Sequence, residues 1–175
     1  MSDAAISTLV LGGARSGKSS HAERLVLGWG LSPVYVATAE PHDAEMAERI
    51  ARHRDDRAAG GWTTVEEPVD LAGAVAAHGG PRRALLVDCL TLWLSNLMLR
   101  DHDVATRQAD LLAALAAAGG PVVLVSNEIG LGLVPETPLG RRFRDAQGRL
   151  NQAIAAACPC VIFVAAGLPL VLKQP

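Results

Sequence analysis

"ISTLVLGGARSGKS", residues 6–19, joins an apolar run to a glycine-rich loop, and its last eight residues fit the pattern G-x-x-x-x-G-K-[ST]. Gly12, Gly17, Lys18 and Ser19 take the fixed positions, with Gly13, Ala14, Arg15 and Ser16 among the loop residues. The spacing has a physical purpose. Glycines let the backbone turn until successive N–H groups converge on a phosphate, and the helix that follows aims the positive end of its dipole at the same anion. Lys18 can then reach the terminal phosphates of a nucleotide, and Ser19 can ligate magnesium. The order apolar run, loop, helical pattern is the context this motif requires.

Working outward, the same alternation repeats along the chain. "PVYVA" (33–37), "WTTVEE" (62–67), "ALLVD" (84–88), "PVVLVS" (121–126) and "CVIFVA" (160–165) read as strands, the last of these being the final one. Helical patterns cover 18–29, 43–56, 70–78, 90–100, 105–118 and 139–157, with Asp70 as a candidate N-cap. Continuous Val/Leu/Ile strands separated by helices predict an α/β fold: a mostly parallel sheet with helices on both faces, P-loop NTPase-like, with a RecA-like strand order possible. With 175 residues and no linker-like segment, a single nucleotide-binding domain spanning 1–175 is expected.

Composition narrows the function. The net charge of -2 carries no basic excess of the kind that marks nucleic-acid or membrane-surface binders. Only Lys18 and Lys173 are lysines among sixteen basic residues, so a lysine inside the loop is not general surface solvation. Cys89, Cys158 and Cys160 have neither disulfide-framework nor zinc spacing and read as buried thiols in or beside strands. The acidic start at Ser2-Asp3 is unlike a secretory signal, and apolar runs are too short to span a bilayer, so a cytoplasmic protein is expected.

Ligands of such sheets sit at the carboxyl ends of the strands, which directs attention to Gly12–Ser19, Thr38, Asp88 and Asn127-Glu128. Asp88, ending "LLVD" on a strand expected beside the phosphate-loop strand, is a candidate magnesium acid; it could also cap the helix beginning near Leu90, and Glu128 is its competitor for the metal. No N-K-x-D guanine loop occurs, and "DLAG" at Asp70 falls in a helical pattern, which argues against a regulatory GTPase. "GRRFRDAQGR" (140–149) would suit either a kinase lid or a solvated helix face. Two classes remain on these residues: a monofunctional phosphate-loop kinase of a small alcohol, and a nucleotide-dependent binding protein.

Beyond the loop, "LVLGGARSGKSSHAE", "VYVATAE", "DAEMAERIARHRDDR", "WTTVEEP", "LLVDCLTLWLSNLM" and "VSNEIGLGLVPETPLGRRFRDAQGRLNQ" resemble, in order, the bifunctional adenosylcobinamide kinase / adenosylcobinamide-phosphate guanylyltransferase family of cobalamin biosynthesis. The resemblance implies two reactions. Adenosylcobinamide is phosphorylated with ATP or GTP, and GMP from GTP is then joined to adenosylcobinamide phosphate through a guanylylated histidine. It places nucleotide contacts at Gly12–Ser19, Ala37, Thr38, Ala39, Arg54, Glu66 and Asp88, with Mg2+ at Ser19 and Asp88. Lys18 and His53 become the catalytic residues. Some relatives carry two adjacent histidines where this chain has Arg52 and His53, which leaves His53 as the candidate. Arg49, His53 and Arg57 are spaced i, i+4, i+8, one face of a helix, where flanking cations favour the neutral, nucleophilic imidazole. The resemblance also implies a homo-oligomer, a trimer.

Overall fold

The computed structural model describes residues 7–41, 48, 51, 55 and 57–174. Its frame is one seven-stranded sheet in the order β3-β2-β4-β5-β1-β6-β7. The strands are β1 (Ser7–Gly12), β2 (Ser32–Ala37), β3 (Thr63–Glu66), β4 (Arg83–Asp88), β5 (Val122–Asn127), β6 (Cys160–Ala165) and β7 (Leu168–Lys173). All pairings are parallel except β6–β7. Helices with defined bounds among the described residues are α1 (Lys18–Gly28), α2 (Leu71–His78), α3 (Leu90–Leu99), α4 (Val104–Ala117) and α5 (Pro138–Ala157). Of the helix expected over 43–56, Glu48, Ala51 and Asp55 are helical, and the rest lies outside the described residues.

The period of two decides the layers. Val10 faces one way with Ala22 and Val26 of α1, whereas Leu9 and Leu11 face the other way with residues of α2, α3, α4 and α5. Strands apolar on both faces are thereby covered on both, as their uninterrupted Val/Leu runs require. Asp70 caps α2 by accepting a hydrogen bond from Gly73 N, as the sequence suggests. Cys89 and Cys158 are buried, Cys160 is half-buried, and all three are free thiols; burial pushes Cys89 up to about 11 and Cys158 up to about 12.

Two features depart from the sequence reading. Strand β4 does not lie beside β1: β5 stands between them, so Asp88 is separated from the loop strand by two strand spacings, about 10 Å. This intervening strand is the RecA-like order. The chain also carries a seventh strand after "CVIFVA". Ala166 and Gly167, both left-handed at φ 51° and 78°, form a two-residue turn that reverses it into β7. Pro169 argues against a strand in sequence but is tolerated here because β7 is an edge.

The carboxyl ends of β2 and β4 are locked together. Ala37 pairs with Asp88 in register; beyond them the buried Thr38 hydroxyl donates to Cys89 O and accepts from Cys89 N, both at 2.8 Å. Asn96 of α3 adds donations to Thr38 O (2.9 Å) and Pro68 O (3.1 Å). Thr38→Val keeps the shape and strands the buried Cys89 N–H. Urea unfolding should register a loss of about 1–3 kcal/mol, and an unchanged midpoint would show that the clasp contributes nothing.

Candidate active site

Every carboxyl end named by the sequence reaches one edge of the sheet. Register pairs Glu66 with Ala37, Ala37 with Asp88, Asp88 with Val125, and Asn127 with Gly12. Glu66, Ala37, Asp88 and the phosphate loop therefore share that edge, while Ala39 follows Thr38 out of β2. His53 and Arg54 lie outside the described residues, as do Arg49 and Arg52.

The loop owes its shape to two close approaches. A Cβ on Gly12 would meet Ser16 Oγ at 2.4 Å and Val164 O at 2.6 Å, and Gly17 turns at φ 93° immediately before α1. Arg15 is also left-handed, at φ 55°. The β6–β7 turn packs underneath: Gly167 N donates to Ser16 O at 2.8 Å, and a Cβ on Gly17 would stand 3.1 Å from Gly167 Cα. Lys18 Nζ donates to Gly13 O at 3.1 Å, which keeps the ammonium over the loop. Ser16 Oγ is buried with no hydrogen-bond partner, a donor that a phosphate oxygen would satisfy.

Asp88 does not cap α3, whose N-cap is Cys89. Its Oδ2 instead accepts from Tyr35 Oη at 2.9 Å. Burial, then the Asp88 charge, pushes the Tyr35 phenol far up, so it stays a protonated donor. The guanidinium of Arg57 lies over the Tyr35 ring, 3.8 Å from its centroid, and Trp62 meets that ring edge-on at 5.9 Å. Glu23 of α1 completes the group. Its carboxyl is raised first by burial and then by Asp88, with Arg57 opposing.

Glu128, the alternative acid, follows β5 beside the loop, and its backbone N–H donates to Gly12 O at 3.1 Å; its Oε1 accepts from Gly130 N. Among the described residues, no group of three or more His, Cys, Asp or Glu could hold a metal by itself. Magnesium ordinarily takes one or two protein oxygens together with phosphate oxygens and water, and the Ser19 hydroxyl and the Asp88 carboxylate suit that division. The stretch 140–149 lies within α5, where Arg141 donates to Pro135 O and Glu136 O, and Arg144 to Gly130 O, bracing the loop before the helix.

Sequence reasoning passed over Tyr35, Glu23, Arg57 as a stacking partner, and Gly167. Tyr35 sits inside "PVYVA" and reads as strand core, yet it is the chain's only tyrosine, in a run otherwise of aliphatic residues and proline; that was the available signal.

Comparison with known proteins gives the family. Residues 8–172 match the family described as cobinamide kinase / cobinamide phosphate guanyltransferase. The chain is 52% identical to the bifunctional adenosylcobalamin biosynthesis protein CobP of Pseudomonas aeruginosa, over 94% of this chain and 96% of that protein. It is 41% identical to CobU, of the same description, from Salmonella typhimurium, over 94% and 98% respectively. Among solved structures, a KaiC-like protein of Pyrococcus horikoshii superposes with a TM-score of 0.52 over 97% of this chain and 79% of its own, at 13% identity, a likeness of fold. With its phosphate loop, strand order and near-complete coverage in agreement, the chain belongs to the cobinamide kinase / cobinamide phosphate guanyltransferase family.

Proposed function

We propose that a single domain with one triphosphate site performs both family reactions. ATP or GTP on the loop Gly12–Ser19 gives its terminal phosphoryl group to the side-chain hydroxyl of adenosylcobinamide. GTP on the same loop then gives GMP to a ring nitrogen of His53 with release of pyrophosphate. Adenosylcobinamide phosphate displaces the histidine and leaves as adenosyl-GDP-cobinamide. The observation that carries this reading is the loop itself: G-x-x-x-x-G-K-[ST] occurs once in the sequence, and its lysine is folded over the turn.

Each group has a physical task. Backbone N–H groups of the loop and the start of α1 hold the phosphates, and Lys18 carries positive charge to the transferred group. Phosphoryl transfer to an alcohol needs positioning and electrostatics but no covalent relay. Guanylyl transfer gains from one, because the relay splits a single displacement into two and lets the corrinoid phosphate enter after pyrophosphate has gone. Magnesium, bound with the triphosphate, supplies charge neutralisation across the phosphate oxygens. In this reading Ser19 and Asp88 hold it, with Glu128 the alternative acid. The family resemblance assigns further nucleotide contacts to Ala37, Thr38, Ala39, Arg54 and Glu66, of which the buried Thr38 would act through its Cys89 clasp.

A cytoplasmic location suits nucleoside triphosphate substrates. The apolar edge strand β7, with Leu168 and Leu170 exposed at 72% and 61%, supports the homo-oligomer that the family resemblance implies, a trimer.

Lys18→Ala should lower both activities by roughly 100-fold or more at saturating nucleotide, measured as phosphate transfer and pyrophosphate release. Near-normal kinase turnover would rule out the shared site. His53→Ala should separate the activities. GTP labelled at the alpha phosphorus should leave acid-labile, base-stable label on the native protein and none on the variant, while the variant keeps most of its kinase turnover. Covalent label persisting on His53→Ala would move the acceptor elsewhere.

A further inference from the structure

Tyr35 joins two parts of the site that the sequence keeps apart. Its hydroxyl donates to Asp88 Oδ2 at 2.9 Å, and its ring carries the Arg57 guanidinium at 3.8 Å. Arg57 stands four residues after His53. Its Nε is buried with no hydrogen-bond partner, so the ring face is the contact that holds this end of the guanidinium. Its carbonyl accepts from Gly60 N at 3.0 Å and Trp62 N at 3.1 Å, and Trp62 closes the far edge of the same ring. Tyrosine itself is 7% exposed and has little freedom to move. A buried hydroxyl needs a partner, and the one Tyr35 has is the carboxylate on the functional edge of the sheet.

We propose that Tyr35 is a positioning residue for the metal acid: its hydroxyl fixes the Asp88 carboxylate, while the Arg57 guanidinium on its face and Trp62 at its edge hold the ring in place. The inference rests on the metal role of Asp88 given above. Losing the hydroxyl frees the carboxylate to rotate and weakens magnesium-dependent binding without touching the phosphate loop.

The test uses a fluorescent GTP analogue whose binding is titrated with and without magnesium, beside single-turnover labelling with alpha-labelled GTP. Tyr35→Phe removes one oxygen and keeps the ring. Its affinity for the analogue in EDTA should be unchanged, while the magnesium concentration for half-maximal enhancement should rise roughly tenfold. Asp88→Asn should shift at least as far, and the double variant no further than Asp88→Asn alone, because the tyrosine acts through the acid. At saturating magnesium Tyr35→Phe should still be labelled. An unshifted Tyr35→Phe beside a shifted Asp88→Asn, or additive shifts in the double variant, would overturn the positioning role and leave the proposed function standing. An unshifted Asp88→Asn would remove the metal role of Asp88 and the positioning role with it.

Discussion

Parallel, in-register pairing of β2, β4, β5 and β1 is the constraint on which the rest of the molecule depends. Parallel strands end on the same side, so each crossover helix returns the chain to the far edge and delivers the next polar residue to the near one. Asp88, Asn127 and the phosphate loop are thereby collected at one rim from three separate stretches of sequence. Apolar side chains on both faces of these strands make any shift of register expensive, because a slip by one residue would exchange the two cores.

The functional edge is stiffened by polar contacts in addition to packing. The Thr38–Cys89 clasp ties two strand ends, and Asn96 ties that clasp to Pro68. Ser126 of β5 forms a buried network with Gln147 and Asn151 of α5, and Asn151 continues it to Asn127 O at 3.1 Å. Buried networks of this kind favour one arrangement over near alternatives, because every displaced member would leave a polar atom without a partner. The site thus inherits its geometry from residues that contact no substrate in the proposed reactions.

Much of this was legible in the chain. Strands with continuous Val/Leu runs announced themselves, and the glycine-lysine loop identified its own strand and helix. Strand order was not legible: nothing local in "LLVD" states which neighbour the strand will choose, and the interposed β5 separates Asp88 from β1. β7 escaped because Pro169 and an Ala-Gly turn are weak strand and hairpin signals, overridden once β6 offers an edge. Tyr35 escaped because its partners, Asp88 and Arg57, lie 53 and 22 residues away in sequence, beyond the reach of any periodicity. Conversely, the family resemblance nominated His53, a role that the local pattern alone would not have singled out.

The turn beneath the phosphate loop has a bearing on how the protein is made. Gly167 N, the donor that the Ser16 carbonyl receives, leaves the ribosome roughly 150 residues after Ser16. β1 pairs with β5 and β6, so a nascent chain can neither seat that strand in the sheet nor finish the loop that follows it until they arrive. Contacts of such sequence separation slow folding, since a long stretch must be ordered before they form. Ordering of the phosphate loop and completion of the β6–β7 hairpin are therefore coupled, as a late keystone loads the first stones of an arch.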